Sequence, residues 1–479
     1  MRVRPVLVLC MVVLAGCTAM PFGGPDSSTD SNDVQGSNVS TESTVDTSGP
    51  IGRHNGYTAD TSLAIDPDDG FNESELNAAV SRSIARIETI RGVNITADVP
   101  VRIRSRESFR NEHQSSNTTS AFRRFDNAKF EALFLIGEDE DSLEVQEASR
   151  GSSVLGYYSY ENKSIVIVSD SETPTLDGEA TLAHELTHAL QDQRFNLSSF
   201  EKRTRDEYNA VNGLIEGEAN VVQRQYMDRC GTEWDCLPTA SDESSGEGPS
   251  NWGVHLLNYF PYGEGEALVS DVYEREGWDG VDRLYENPPQ SAEQVIHPSA
   301  LGSDEPTAVA IEDRATAGWQ RVRLNPEARG ADRPDHAVMG QSALTAMFAQ
   351  TGFDSYNNSA VATRNDIITR ENGQTRLSYS LPITNGWDGD RLHVYEKNGQ
   401  TGYVWKLVWD DQKNATQFVE NYERLLSHWG GSSVASNTWV IEDGPFADAV
   451  SIRTNGSTVV IVNGPTQADL TAIRSEEDG

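Results

Sequence analysis

The ten residues Ala183-His184-Glu185-Leu186-Thr187-His188-Ala189-Leu190-Gln191-Asp192 constrain this chain more than any other stretch. Residues four apart share one face of a helix, so a helix here sets both imidazoles side by side. That spacing suits two ligands of one tetrahedral zinc ion. Glu185 follows the first His and can lean over an open coordination position, where a carboxylate moves a proton from water to a leaving amine. With nine His in 479 residues, such a pattern arises by chance in roughly one chain in a hundred. The context fits: residues 178–195 read as an amphipathic helix, directly after a hairpin. That hairpin runs through Val154–Tyr160, a polar turn at Glu161-Asn162-Lys163, and Ser164–Val168.

Three protein ligands and one open position make a catalytic zinc site. A second helix, expected over about 205–228, contains Asn212-Gly213-Leu214-Ile215-Glu216-Gly217-Glu218-Ala219-Asn220. Glu216 follows 28 residues after His188, enough chain to turn and return antiparallel. Asn220 shares its face, whereas Glu218 points roughly 200° away around the helix. Glu216 is therefore the preferred third ligand over Glu218.

H-E-x-x-H followed by E-G-x-A resembles the gluzincin-type zinc metallopeptidases, over about residues 150–230. The resemblance implies an α+β, zincin-like catalytic domain and one catalytic Zn2+ held by His184, His188 and Glu216. It also implies Glu185 as general base, a peptide or protein substrate, and a strand before the motif helix lining the cleft. Gluzincins often carry Asp four residues after the ligand Glu, bonded to the first His. Asn220 stands there in this chain, and Asp192, one turn after His188, offers the missing carboxylate. For the oxyanion donor that family takes a downstream His or Tyr. Tyr262 and His297, both next to prolines, rank above His255.

The N-terminus has Arg2 and Arg4, an apolar run from Pro5 to Leu14, then Ala15-Gly16-Cys17. The run is too short to span a bilayer and reads as a lipoprotein leader over 1–16, with lipid on Cys17 as the membrane anchor. Residues 17–56 are rich in Ser, Thr, Asp and Gly and read as a flexible tether. The expected location is the extracellular face of the membrane. Cys230 and Cys236 then most simply form a disulfide. Nine N-x-S/T sequons, among them Asn94, Asn117, Asn162, Asn196 and Asn414, fit a glycosylated surface protein.

The formal charge is −36, and Lys supplies only 6 of 38 basic residues. So acidic a chain does not bind nucleic acid by counterion release. Sparse Lys with pervasive Asp and Glu resembles a halophile's hydrated acidic surface. Together with the lipobox, the pattern resembles haloarchaeal surface lipoproteins of a zincin-like family.

The remaining organisation reads as a catalytic domain over 57–300, a connection over 301–334 and an α+β C-terminal domain over 335–479. Residues 251–286 are expected to form two helices broken at Pro261-Tyr262-Gly263, and the two Gly-Trp-Asp-Gly sequences to be independent turns or caps. The rival to an enzyme is a catalytically inactive zincin-like surface binding or envelope protein. Intact His184, Glu185 and His188 favour the enzyme.

Overall fold

The computed structural model describes residues 49–66, 69–112, 118–150, 156–171, 173–174, 178–237, 249–324, 334–356, 360–371 and 374–475. The leader, Cys17, most of the expected tether and the Asn117 sequon lie outside these residues. Arg53–His54 already pairs with Tyr57–Thr58 and packs on the first helix, so ordered structure begins inside the stretch expected as tether. Among the described residues no helix is long and apolar enough to cross a membrane.

The first half builds a helical body around a small sheet. Helix α1 (Glu73–Arg91) opens with a reciprocal cap: Asn72 accepts from the Glu75 amide and Glu75 accepts from the Asn72 amide. Such a cap contributes about 1 kcal/mol. Strand β1 (Val101–Arg104), helix α2 (Ser120–Ala132) and the hairpin β2 (Gly156–Ser159) and β3 (Ser164–Val168) follow. The sheet order is β1-β3-β2, with β1 parallel and β2 antiparallel to β3, so β2 is an outer edge.

The hairpin feeds helix α3 (Glu179–Phe195), and α4 (Arg205–Arg229) runs beside it from a capping box of Thr204 and Glu207. The expected amphipathic character of α3 is not what the fold uses. Every residue from Leu182 to Asp192 is buried, because α1, α4 and β2 cover it from several sides. Glu179 at its start is clamped by buried Arg82, Arg86 and the Tyr226 hydroxyl, which ties α1 and α4 together. Cys230 and Cys236 form a disulfide closing the loop after α4.

Helix α5 (Trp252–Glu286) runs unbroken through Pro261 and departs from helical geometry only at Gly277 (φ 65°, ψ −166°). The expected break at Pro261 is therefore misplaced. Pro261 is buried against the helical body and loses one backbone bond, whereas a left-handed φ is open to glycine at little cost. The second Gly-Trp-Asp-Gly also begins at a positive-φ glycine, Gly386.

After α6 (Ala292–Ile296), the chain adds β4 (Gln320–Arg321), α7 (Gly340–Gln350), β5 (Trp387–Lys397), β6 (Gln400–Trp409), α8 (Gln412–His428), β7 (Ser432–Ala435), β8 (Thr438–Val440), β9 (Ala449–Asn455), β10 (Thr458–Gly464) and α9 (Gln467–Ile473). The strands form a seven-stranded antiparallel sheet in the order β7-β8-β9-β10-β6-β5-β4. The architecture is mixed α and β, in keeping with the expected α+β class.

The stretch expected as a connection is part of this sheet. It supplies β4, and Ile311, Ala315 and Trp319 pack with Val404, Val462 and Ile473. One continuous apolar core joins Leu214, Val254 and Phe260 of the first half to Leu344, Trp405 and Ile461 of the second.

Candidate metal centre

Helices α3 and α4 bring His184, His188 and Glu216 together. Their ligand atoms all lie within 4.8 Å of one another, and all three residues are buried. His184 Nε2 is 3.1 Å and His188 Nε2 3.4 Å from Glu216 Oε2. Burial alone pushes the Glu216 carboxyl up, but His188 and His184 outweigh it and hold it down at about 2.

The glycine after Glu216 has a steric reason. A Cβ on Gly217 would collide with the Gly265 carbonyl of α5, and one on Gly265 with the Gly213 carbonyl of α4. Three glycines let α4 and α5 cross at backbone contact. That close crossing sets the Tyr262 ring, on α5, stacked 6.4 Å from the His184 ring at 23°.

The outer partners of the imidazoles differ from those expected. His188 Nδ1 lies 2.8 Å from Gln191 Oε1, and His184 Nδ1 lies 3.1 Å from Gln223 Oε1. The Gln191 amide nitrogen donates to the Ile215 carbonyl and lies within bonding distance of Glu218 and the Tyr285 hydroxyl. Its Oε1 is therefore the atom facing His188, so the ring carries a proton on Nδ1 and turns Nε2 toward Glu216.

Asn220 and Asp192 do not touch the imidazoles. Asn220 donates to the Tyr262 carbonyl at 3.0 Å. Asp192 accepts from the Tyr158 hydroxyl, Lys163 Nζ and the Leu197 amide, and so fastens the hairpin to α3. The physical reason is direction: on α3, i+4 from His188 points at the sheet, while i+3 points at α4. Glu218 faces away from the ligand set and pairs with buried Arg91 at 2.6 Å. Gln191 lies three residues from His188 and Gln223 seven from Glu216. Helical spacing was the available signal, but neither residue type announces a role beside a ligand.

Glu185 is 1% exposed, and no side chain donates to its carboxyl oxygens, which meet only the Tyr158 backbone N–H; His188 Nε2 has no hydrogen-bond partner. Burial pushes the Glu185 carboxyl up to about 8; His184 lowers it, Glu216 raises it further, and the Tyr158 backbone N–H lowers it. Buried polar atoms left without partners are costly, so this concentration at one point needs an occupant to explain it. Two imidazole nitrogens and a carboxylate are the donor set zinc takes, so the residues fit that ion.

The remaining candidates fall elsewhere. His297 caps α6 and lies beside Gln341 and Asn385, with no hydrogen bond or ring contact to the three ligands. His255 stacks on Tyr259, which stacks on Tyr262, so two rings stand between it and His184.

Comparison with known proteins reaches only the second half of the chain. Residues 323–474 match a family described as a domain of unknown function (DUF8575). No curated protein and no solved structure matches the chain.

Proposed function

We propose that the protein is a zinc metallopeptidase, tethered by lipid on Cys17 at the extracellular face of the membrane of a halophile. The observation that carries the reading is a three-residue candidate ligand set within 4.8 Å beside a buried Glu185 whose carboxyl has no side-chain partner. His184, His188 and Glu216 would hold the ion. A bound zinc ion supplies Lewis acidity and makes water a stronger acid.

The chain's own residues would do the rest. Glu185, whose raised carboxyl would be held ionised beside a bound cation, takes a proton from the attacking water and delivers it to the amine nitrogen as the peptide bond breaks, so the proton count balances. Its burial keeps bulk water from competing for that proton. Gln191 and Gln223 hold the two imidazoles in ring orientation and tautomer. Tyr262, whose ring lies 6.4 Å from that of His184, would serve as donor to the developing oxyanion. Among the described residues, edge strand β2 has one side unpaired, which would suit an extended substrate.

The test is removal of metal from the purified ectodomain with a chelator, followed by zinc replacement, with a peptide library as substrate. The reading expects cleavage lost on removal and restored by about one zinc per chain. Zinc bound at one per chain with no cleavage of any peptide would point to the inactive binding protein instead.

A further inference from the structure

A chain of charge −36 has carboxylates to spare for every cation. One face of β5 departs from that pattern. Arg391, His393 and Tyr395 alternate along β5 and so share a face, while Leu392 and Val394 point into the main core. Arg321 on β4 stands directly opposite Tyr395 and joins the same face. His336 arrives just before Ala337, which is hydrogen-bonded in both directions to Leu392. The His336 and His393 ring centroids are 6.5 Å apart.

These donors have no anion to serve. Arg391 makes no side-chain hydrogen bond or ion pair among the described residues, and its Nε is buried without a partner. Arg321 reaches only a backbone carbonyl, that of Asp335, at 2.6 Å, and its Nε is likewise unpartnered. His393 is 2% exposed, and neither ring nitrogen has a partner. The nearby acids are engaged elsewhere. The Asp335 carboxylate takes the Leu324 amide and Arg323. Asp390 takes the Met339 and Gly340 amides and the Trp387 and Trp405 indoles. Asp313 accepts from the Ala315 amide and lies near Tyr395; its charge reaches Arg321, but the two form no ion pair among the described residues.

We propose that Arg321, Arg391, His336 and His393 form a binding site for a small tetrahedral oxyanion of the sulfate or phosphate class. Two planar guanidinium forks match such an anion's geometry, and each imidazole adds an N–H donor. Arg321, Arg391 and His336 are half-buried and open the site to solvent, with His393 at its floor. A cavity of about 30 Å³ lies beside His336, lined also by Lys129, Arg203 and Arg205, of which Lys129 pairs with Asp126 and Arg203 with Glu201. Burial, then the neighbouring arginines, hold His336 at about 4 and His393 at about 3, so without an anion both rings are neutral at pH 7.

The site is separate from the metal centre and stands or falls without it. The experiment uses inorganic sulfate at low millimolar concentration, exchanged for sodium chloride at constant ionic strength. Thermal unfolding of the wild type should rise saturably by a few degrees, as binding to the folded state requires. Arg391→Gln and Arg321→Gln should lose that rise. In wild-type protein, the ring signals of His336 and His393 in nitrogen-15 spectra should shift along the same binding curve, a readout that does not depend on the variants folding. A melting temperature that follows sulfate equally in wild type and both variants, or ring signals that ignore sulfate, overturns the proposal.

Discussion

Gln191 orients the His188 ring: its Oε1 accepts from Nδ1 at 2.8 Å, and its own amide nitrogen faces the Ile215 carbonyl, Glu218 and Tyr285. The chain Arg91–Glu218–Gln191–His188 thus runs from a buried ion pair to a proposed ligand. Gln191→Ala frees the ring and removes the acceptor. Zinc affinity, read by competition with a chelating dye, should fall by about 10- to 100-fold. Gln223→Ala should fall less, because Gln223 is only partly buried and water can replace it. Unchanged affinity in Gln191→Ala would show that the imidazole is oriented by packing alone.

Glu216 and Glu218 should separate cleanly. Glu216→Gln removes a ligand charge and should lose zinc. Glu218→Gln should keep zinc but weaken the pairing of Arg91, which still holds Asp282 at 2.6 Å, so the loss of stability should fall below the about 3–5 kcal/mol of a buried charge left alone. Denaturant unfolding of the metal-free proteins gives the second quantity. Zinc lost from Glu218→Gln and retained by Glu216→Gln would reverse the assignment.

The Gly217 contact predicts a packing defect. Gly217→Ala must push α4 away from the Gly265 carbonyl, and overpacking of this kind costs about 1–3 kcal/mol. Helix propensity alone would make the same change stabilising by up to about 1 kcal/mol. The sign of the change in urea midpoint therefore decides whether the close crossing is real.

Asp448 gives a pH prediction away from the candidate metal centre. Burial pushes its carboxyl up to about 7, and Glu138 adds to the rise; buried Glu131, beside it, is also raised. A raised carboxyl holds its proton more tightly in the folded state. The stability it contributes is full below the unfolded value near 4 and is lost as pH rises through about 7, by at most about 4 kcal/mol. Asp448→Asn, which cannot ionise, should gain stability relative to wild type as pH goes from 5 to 8. A difference between the two that stays flat across that range would contradict the assignment.

The legible parts of the sequence were those with a local period. His184 and His188 declare a helix face, and a step of about 100° per residue separates Glu216 from Glu218. The hairpin before α3 announced itself by alternation and a polar turn. What stayed hidden depends on distant chain. Trp319 and Ile311 become core residues only because β4 pairs with β5, a contact no local pattern contains. Asp192 looked like a partner for an imidazole until the hairpin supplied Tyr158 and Lys163. Pro261 looked like a helix break, yet tertiary packing carries α5 through it, and the chain bends at Gly277.

The central claim is that Glu185 moves protons without binding the metal. Zinc content and peptide hydrolysis, measured together on wild type and Glu185→Gln, test it most directly. The account predicts about one zinc per chain in both, with hydrolysis in Glu185→Gln lower by about 10²–10⁴-fold. Full activity in Glu185→Gln, or wild-type protein prepared without chelators that holds no stoichiometric zinc, would contradict it.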